Sequence, residues 1–160
     1  MIRINIYTIG TLKEKYLKEM SLEFLKRLQK FTKISVLEFE ELDINRLNSY
    51  KDINDFLEKE DKIILSKIKS NDFLILLDLH GKALSSEDFA KMIEDVSSTL
   101  RGDLNFVIGG TLGVSNSLRE RANFSFKISD LTFTHQMTRV ILLEQIYRAF
   151  KIINHEAYHH

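Results

Sequence analysis

The chain contains neither cysteine nor proline, and each absence excludes something. Without cysteine there is no disulfide framework and no thiolate metal site. Without proline one class of boundary signal is missing, so the ends of the predicted elements are placed only to within a few residues. No apolar run approaches the length of a membrane span. The alternating N-terminus also lacks the cleavage region of a signal peptide, so we expect a cytoplasmic protein.

The chain has no net charge either, since 23 basic side chains balance 23 acidic ones. The two signs are nevertheless separated along the sequence. Residues 1–33 hold eight basic and three acidic side chains, whereas residues 38–61 hold three basic and nine acidic ones. A neutral protein should bind bulk nucleic acid weakly. If the substrate is RNA, shape and a specific site must supply much of the recognition.

The remaining composition is that of one globular domain, 1–160, with 44% hydrophobic and 29% charged residues. Strands are predicted at 2–10, 32–39, 73–79, 104–108 and 124–128. Helices are predicted at 13–31, 56–68, 85–96, 115–122 and 135–153, and residues 40–55 are predicted as an acidic loop. Strands that alternate with helices indicate an α/β fold, in which helices cover both faces of a mainly parallel sheet. The predicted architecture is therefore a layered α/β/α domain.

The last predicted helix, 135–153, is apolar around most of its circumference, which indicates burial on more than one side. A second copy of the chain would account for the additional buried surface, so a homodimer is predicted with this helix at the interface. The tail of Tyr158, His159 and His160 has no apolar pattern that would hold it down. We therefore expect the tail to contribute little to folding and to be free to reach a substrate.

Three predicted loops follow strands directly, at 79–81, 109–113 and 129–134. Ligands of open α/β sheets bind beyond the carboxyl ends of strands, so these loops could frame one cofactor-sized pocket. The Gly109-Gly110 pair could let a ligand approach the main chain, but taken alone it is more simply explained by a tight turn into the helix that begins at Ser115. No dinucleotide or triphosphate motif is present.

The five histidines do not predict a metal site. His155 and His159 are four residues apart, but they lie beyond the predicted helix end and have no further ligand nearby in sequence. His135 stands at a helix start, where a neutral imidazole could accept a proton or a hydrogen bond. It could equally well only satisfy the helix terminus or a subunit contact.

Together these residues resemble the ribosomal RNA large subunit methyltransferase H family of SPOUT methyltransferases. The likeness covers essentially the whole chain and is most specific at the C-terminus. Its motifs are 10–13 (GTLK), 81–82 (GK) with 85–87 (SSE), 106–110 (FVIGG), 132–137 (TFTHQM), 144–152 (EQIYRAFKI) and 156–159 (EAYH). The resemblance implies a trefoil knot at the C-terminus, a homodimer, and S-adenosylmethionine as cofactor. It also implies the reaction, which is methylation of N3 of a pseudouridine in helix 69 of 23S rRNA on the assembled ribosome.

The resemblance further implies where the cofactor binds. The implied contacts are Leu77, Gly109, Ile128, Ser129, Asp130, Leu131, Thr132 and Phe133. Two positions depart from the family pattern: Thr134 stands where the family usually has proline, and His160 where it commonly ends in lysine or arginine. The first removes a backbone restraint from the loop, and the second removes a charge that could pair with phosphate.

Four side chains are predicted to act on the substrate. His135 or His159 would accept the proton of N3, Arg139 would stabilise the resulting anion or a phosphate, and Tyr158 would stack on the extruded base. Two alternatives remain open at this point. One is a non-enzymatic ribosome- or RNA-binding protein of the same fold, and the other is an enzyme acting on a small nucleotide.

Overall fold

The computed structural model describes residues 1–159. Its strands are β1 (Arg3–Ile9), β2 (Lys33–Phe39), β3 (Phe73–Ala83), β4 (Leu104–Ile108) and β5 (Phe124–Lys127). Its helices are α1 (Lys15–Leu28), α2 (Ile53–Lys67), α3 (Ser86–Thr99), α4 (Asn116–Arg121) and α5 (His135–Ile153), with a 3-10 helix at Ile44–Ser49. Every strand and helix predicted from the sequence is present.

The strands form one parallel sheet in the order β2-β1-β4-β3-β5. Parallel strands need crossover connections, and the helices between the strands supply them. Because all strands run the same way, their carboxyl ends meet at one edge, where the connecting segments lie side by side. The predicted α/β class is confirmed.

Each face of the sheet has its own apolar core. One core packs Ile6, Ile75 and Phe106 of the sheet against α1, α3 and α5. The other packs Leu76 and Val107 against α2 and α4. Side chains of a strand point alternately to opposite faces, so the nearly continuous apolar runs of β3 and β4 fill both cores. This gives the three layers expected from the sequence.

Helix α5 lies on the sheet between α1 and α3. Three neighbours of its own chain therefore bury it on several sides. The buried residues are Arg139, Val140, Leu142, Leu143, Ile146, Tyr147, Ala149 and Phe150. Its apolar circumference is therefore explained mostly within one chain, although Met137 near its start is 39% exposed. The homodimer itself stays a prediction.

Two predicted boundaries were also wrong. The stretch predicted as an acidic loop contains the 3-10 helix, and α2 begins at Ile53 after the cap Asp52, whose carboxylate accepts the Asp55 N–H at 2.8 Å. Strand β3 does not end before Gly81 but continues to Ala83, with a shift of register between Leu77 and Lys82. Gly81 packs so closely on β5 that an added Cβ would lie 2.6 Å from the backbone of Phe126.

The trefoil knot implied by the resemblance stays a prediction, since the element order alone does not establish it. In the described part of the chain, no helix has the length and apolar content that crossing a membrane requires.

Candidate active site

A cleft of about 250 Å³ lies at the carboxyl edge of the sheet. Its walls are residues 77–80 of β3, the segments after β4 and β5, and the first turn of α5. Seven of the eight predicted cofactor residues line it: Leu77, Gly109, Ile128, Ser129, Leu131, Thr132 and Phe133. The eighth, Asp130, does not line the cleft, and its carboxylate pairs with Lys127 instead. Sequence reasoning thus brought together most of one real cavity.

The loop after β4 is shaped by its own glycines. A Cβ on Gly109 would lie 2.6 Å from Cγ1 of Val114 and 2.7 Å from the carbonyl oxygen of Gly113. Gly109 is therefore required by the turn itself, whatever the loop binds. Gly113 has φ +94°, a conformation that favours glycine, and nothing lies within 4 Å of where its Cβ would be. The open space beside Gly113 faces the cleft.

Carboxylates hold this loop from the side away from the cleft. Asp61 on α2 is fully buried, and its Oδ2 accepts the backbone N–H of Ser115 at 2.7 Å. Glu41 accepts the backbone N–H of Thr111 at 3.0 Å and also its hydroxyl. Burial acts to raise the pKa of Glu41, but the hydrogen bonds from Thr111 lower it overall. These bonds fix both ends of the loop between β4 and α4.

Glu60 has the most perturbed carboxyl group near the cleft. Its side chain is buried, and Oε2 accepts the backbone N–H of Leu42 at 3.0 Å. The pKa of Glu60 is raised to about 7, mainly by burial and also by the neighbouring charges of Asp61 and Glu41, against the lowering effect of the Leu42 bond. A Cβ on Gly110 would lie 2.7 Å from Glu60 Oε1, so this carboxyl packs against the loop.

The opposite wall, residues 128–133, has backbone groups available to a ligand. Apart from bonds of the β3–β5 ladder, the one hydrogen bond found for a backbone amide of this wall within residues 1–159 runs from Leu131 to the Ser129 hydroxyl at 2.9 Å. Large apolar side chains stand exposed at the rim, with Leu131 at 72%, Leu79 at 61% and Phe133 at 39% of their full surface. Free backbone donors and acceptors beside exposed apolar surface are what a binding cleft for a flat, polar-edged ring offers.

Comparison with known proteins assigns the family. Residues 2–159 match the model of a family described as "Predicted SPOUT methyltransferase". The chain therefore belongs to the SPOUT methyltransferase family. Two relatives called "Ribosomal RNA large subunit methyltransferase H", from Clostridium acetobutylicum and Clostridium botulinum strain Okra, are each 44% identical to it over 158 residues. In both cases the match covers 99% of this chain and 99% of the relative.

A solved structure supports the fold independently. The structure described as "a probable methylase family protein from Haemophilus influenzae Rd KW20" superposes with a TM-score of 0.56 at 12% identity. The match covers 100% of this chain and 72% of that one. As a member of the SPOUT methyltransferase family, the present chain is a methyltransferase, and a methyl donor is one of its substrates. The alternative of a non-enzymatic RNA-binding protein is therefore not supported.

Of the four predicted catalytic residues of this methyltransferase, His135 lines the cleft, and Arg139 lines a neighbouring cavity at the carboxyl ends of β1 and β2. His135 opens α5 and lines the cleft. Arg139 follows one turn later; it is 8% exposed, and its Nη1 lies 2.7 Å from Oε2 of Glu38. Its Nε is buried and has no hydrogen-bond partner among the described residues. No sequence pattern indicates Glu38 as its partner, because the two residues are 101 positions apart.

The other two predicted catalytic residues lie elsewhere. The hydroxyl of Tyr158 donates to Glu144 at 3.0 Å, and its ring packs edge-on against Tyr147 at 4.9 Å. His159 pairs through Nε2 with Glu87 at 2.6 Å and contacts Arg148 through Nδ1 at 3.1 Å. The expectation of a free tail was wrong for these two residues, which dock on their own chain. His160, the third tail residue, lies outside the described residues.

Sequence reasoning also missed the ion pair of Asp78 and Arg119, both of which line the cleft. A signal was present, since Asp78 is the one charged residue in the apolar stretch 73–79. A carboxylate at the end of a buried strand usually has a partner. Among residues 1–159 there is no group of three or more histidine, aspartate or glutamate side chains placed to hold a metal ion.

Proposed function

We propose that this protein transfers a methyl group from S-adenosylmethionine to N3 of a pseudouridine in helix 69 of 23S rRNA on the assembled ribosome. The observation that carries the proposal is one cleft, formed where three strand-end segments converge, in a member of the SPOUT family. Relatives 44% identical over nearly the whole chain are called ribosomal RNA large subunit methyltransferases. The base and the rRNA helix follow from the resemblance in the sequence motifs.

The residues of the cleft fit S-adenosylmethionine. The exposed side chains of Leu79 and Leu131 offer apolar surface to an adenine ring, and the backbone of 128–133 offers hydrogen-bonding groups to its edge. The space beside Gly113 admits a ligand close to the main chain. When bound, the cofactor supplies a methyl carbon on a sulfonium, which is open to in-line displacement. The chain then has to hold N3 of the acceptor at near-attack distance.

N3 of the acceptor carries a proton that has to leave. His135 is the better placed of the two proposed acceptors, because it lines the cleft, whereas His159 contacts Glu87 and Arg148. Arg139, one turn from His135 on the same face of α5, would stabilise the negative charge that develops on the base.

Tyr158 and His159 can act only if a second copy brings them to the cleft. Glu144, the partner of Tyr158, is nine residues beyond His135, a distance of about 13 Å along the helix. We therefore place the proposed homodimer interface at the exposed apolar residues near the start of α5, which include Met137 at 39% exposure. In such a dimer, the tail of one subunit would complete the site of its partner.

Besides the second subunit, the proposed binding partner is 23S rRNA. Because the proposed substrate is the ribosome, the protein would act in the cytoplasm.

The cofactor cleft is tested with Leu131→Arg. This side chain is 72% exposed, so its replacement should leave the melting temperature nearly unchanged. The new cation removes apolar contact and repels the sulfonium, so affinity for S-adenosylmethionine in calorimetry should fall about tenfold. Leu22→Arg is the matched control, since Leu22 is 65% exposed on α1, away from the cleft. Equal affinity in both variants would refute the cleft assignment.

The reaction is tested by mass spectrometry of 23S rRNA from cells with and without the gene. A methylated pseudouridine in helix 69 should be lost with the gene and restored by the purified protein, S-adenosylmethionine and ribosomes together. Unchanged modification without the gene would refute the proposed substrate. Mixing a His135→Ala copy with a Tyr158→Ala copy then tests the tail, because activity should return only if the tail acts across the dimer.

A further inference from the structure

A second cavity, larger than the cofactor cleft, lies at the carboxyl ends of β1 and β2. It has a volume of about 680 Å³, and we call it the acceptor groove. Its walls are residues 8–13, residues 38–41 and the first turn of α5. His135 lines both the groove and the cofactor cleft, so the two cavities meet at this side chain. A ligand that fills the groove can therefore reach the cleft past His135.

The groove contains an ion pair that is only partly satisfied. Arg139 lines the groove, and its Nη1 donates to Oε2 of Glu38 at 2.7 Å. This is the one hydrogen bond of the guanidinium within residues 1–159, and Nε is buried without a partner. A guanidinium has five N–H donors, and a buried one normally uses most of them. Glu38 is 37% exposed at its side chain, so its carboxylate remains accessible from the groove.

The charge of the groove indicates which kind of group would use these donors and acceptors. Three carboxylates line it, those of Glu38, Glu40 and Glu41, against the two cations Lys13 and Arg139. An excess of negative charge disfavours a phosphate group. It favours a neutral group that presents an N–H donor beside a carbonyl oxygen, because the N–H can donate to a carboxylate while the carbonyl accepts from the guanidinium.

We propose that Glu38 and Arg139 together recognise the acceptor as pseudouridine and discriminate it from uridine. This inference rests on the proposed function. In pseudouridine the sugar is attached through carbon, so N1 carries a hydrogen next to the C2 carbonyl, and in uridine N1 is bonded to the sugar and has none. The N1–H donates to the Glu38 carboxylate, and O2 accepts from the Arg139 guanidinium.

This orientation also fits the reaction. N3 lies on the other side of C2 from N1, so a base held by its N1–H and O2 turns N3 away from Glu38 and towards the cofactor cleft. Glu38 forms and breaks no covalent bond in this arrangement, and it acts as a specificity-determining residue. A site that pairs with a substrate N–H strongly rejects the analogue that lacks it, because the bound base then covers the acceptor without pairing with it.

The test uses two ribosome preparations that differ only in whether pseudouridine or uridine stands at the target position. The native protein should prefer the pseudouridine ribosomes in kcat/KM, and Glu38→Ala should reduce this preference about 10- to 100-fold, mainly by slowing the pseudouridine substrate. Glu94→Ala is the matched control, because it removes the same charge from an exposed position of α3 that lines neither the groove nor the cleft. This variant should keep the preference.

Two further measurements keep the test decisive. In Glu38→Ala, the melting temperature and the affinity for S-adenosylmethionine should match the native values. If they do not, Glu38→Gln is used instead, because it keeps the shape of the side chain. This variant should reduce the preference for pseudouridine by a smaller factor. Chemical-shift titration should show that the native protein binds the nucleoside pseudouridine more tightly than uridine, and that Glu38→Ala does not.

The outcomes separate the two proposals. If the native protein methylates neither ribosome, the proposed function fails. If it methylates both equally well, or if Glu38→Ala keeps the preference, this inference alone is overturned. An equal loss on both ribosomes would also overturn it, because Glu38 would then act on a group that the two bases share.

Discussion

Replacing Glu60 with glutamine should stabilise the protein above neutral pH and have little effect in acid. The pKa of Glu60 is raised from 4.5 to about 7 in the folded chain, mainly by burial. Between these two values the folded chain binds a proton that the unfolded chain has lost, so the stability that Glu60 contributes falls as pH rises. By linkage, the raised pKa of Glu60 lowers the free energy of unfolding by roughly 3 kcal/mol at pH values above the folded pKa. It has no effect at pH values below the unfolded pKa.

Glutamine keeps an acceptor for the Leu42 N–H, 3.0 Å from Oε2 of Glu60, and carries no charge at any pH. Urea unfolding of both proteins from pH 4 to 8.5 should show Glu60→Gln gaining up to about 3 kcal/mol, with the gain appearing between pH 4.5 and 7. Glu94→Gln, at an exposed position of α3, controls for a general loss of charge. A gain that is the same at pH 4 and pH 8, or no gain at all, would refute the reasoning.

Three further predictions concern packing, the tail and assembly. Gly81→Ala should cost more than about 2 kcal/mol in urea unfolding, because the new Cβ would meet the Phe126 backbone at 2.6 Å; a smaller loss would mean that β5 can move aside. Tyr158→Phe removes the 3.0 Å bond to Glu144 and should lower the melting temperature by a few degrees, about 1 kcal/mol, whereas an undocked tail would give no change. Met137→Asp should convert the proposed dimer into monomers in light scattering, and a native protein that is already monomeric at micromolar concentration would contradict the dimer.

The fold was largely predictable because its signals are local. Nearly continuous apolar runs marked β3 and β4, and α3 begins at a local cap, where the Ser85 hydroxyl accepts the Asp88 N–H at 3.0 Å. Features that depend on distant neighbours were not predictable. The extension of β3 to Ala83 arises from pairing with β5, more than forty residues later, and no pattern in residues 79–83 indicates it.

For the candidate site, too, the location was predictable but the contacts of individual side chains were not. Loops that follow parallel strands must meet at one edge, so the cleft could be located without a structure. The partners of individual side chains could not be found this way. A free tail was the natural expectation for a segment without apolar periodicity, yet Tyr158 is held by an aromatic edge contact and a carboxylate on α5. Such contacts are set by where α5 lies, which periodicity does not describe.

The acidic side chains concentrated in residues 38–61 have a structural role next to the cleft. Three consecutive backbone N–H groups at the start of α4, those of residues 115–117, donate to Asp61, Asn54 and Glu58 on α2 at 2.7 to 3.0 Å. The acidic segment therefore serves as the support of the wall formed by the loop after β4. Since Glu60 packs against the same loop, loss of its proton near pH 7 places a buried charge behind the cleft. The geometry of the cleft and the stability of the fold should consequently change over the same pH range.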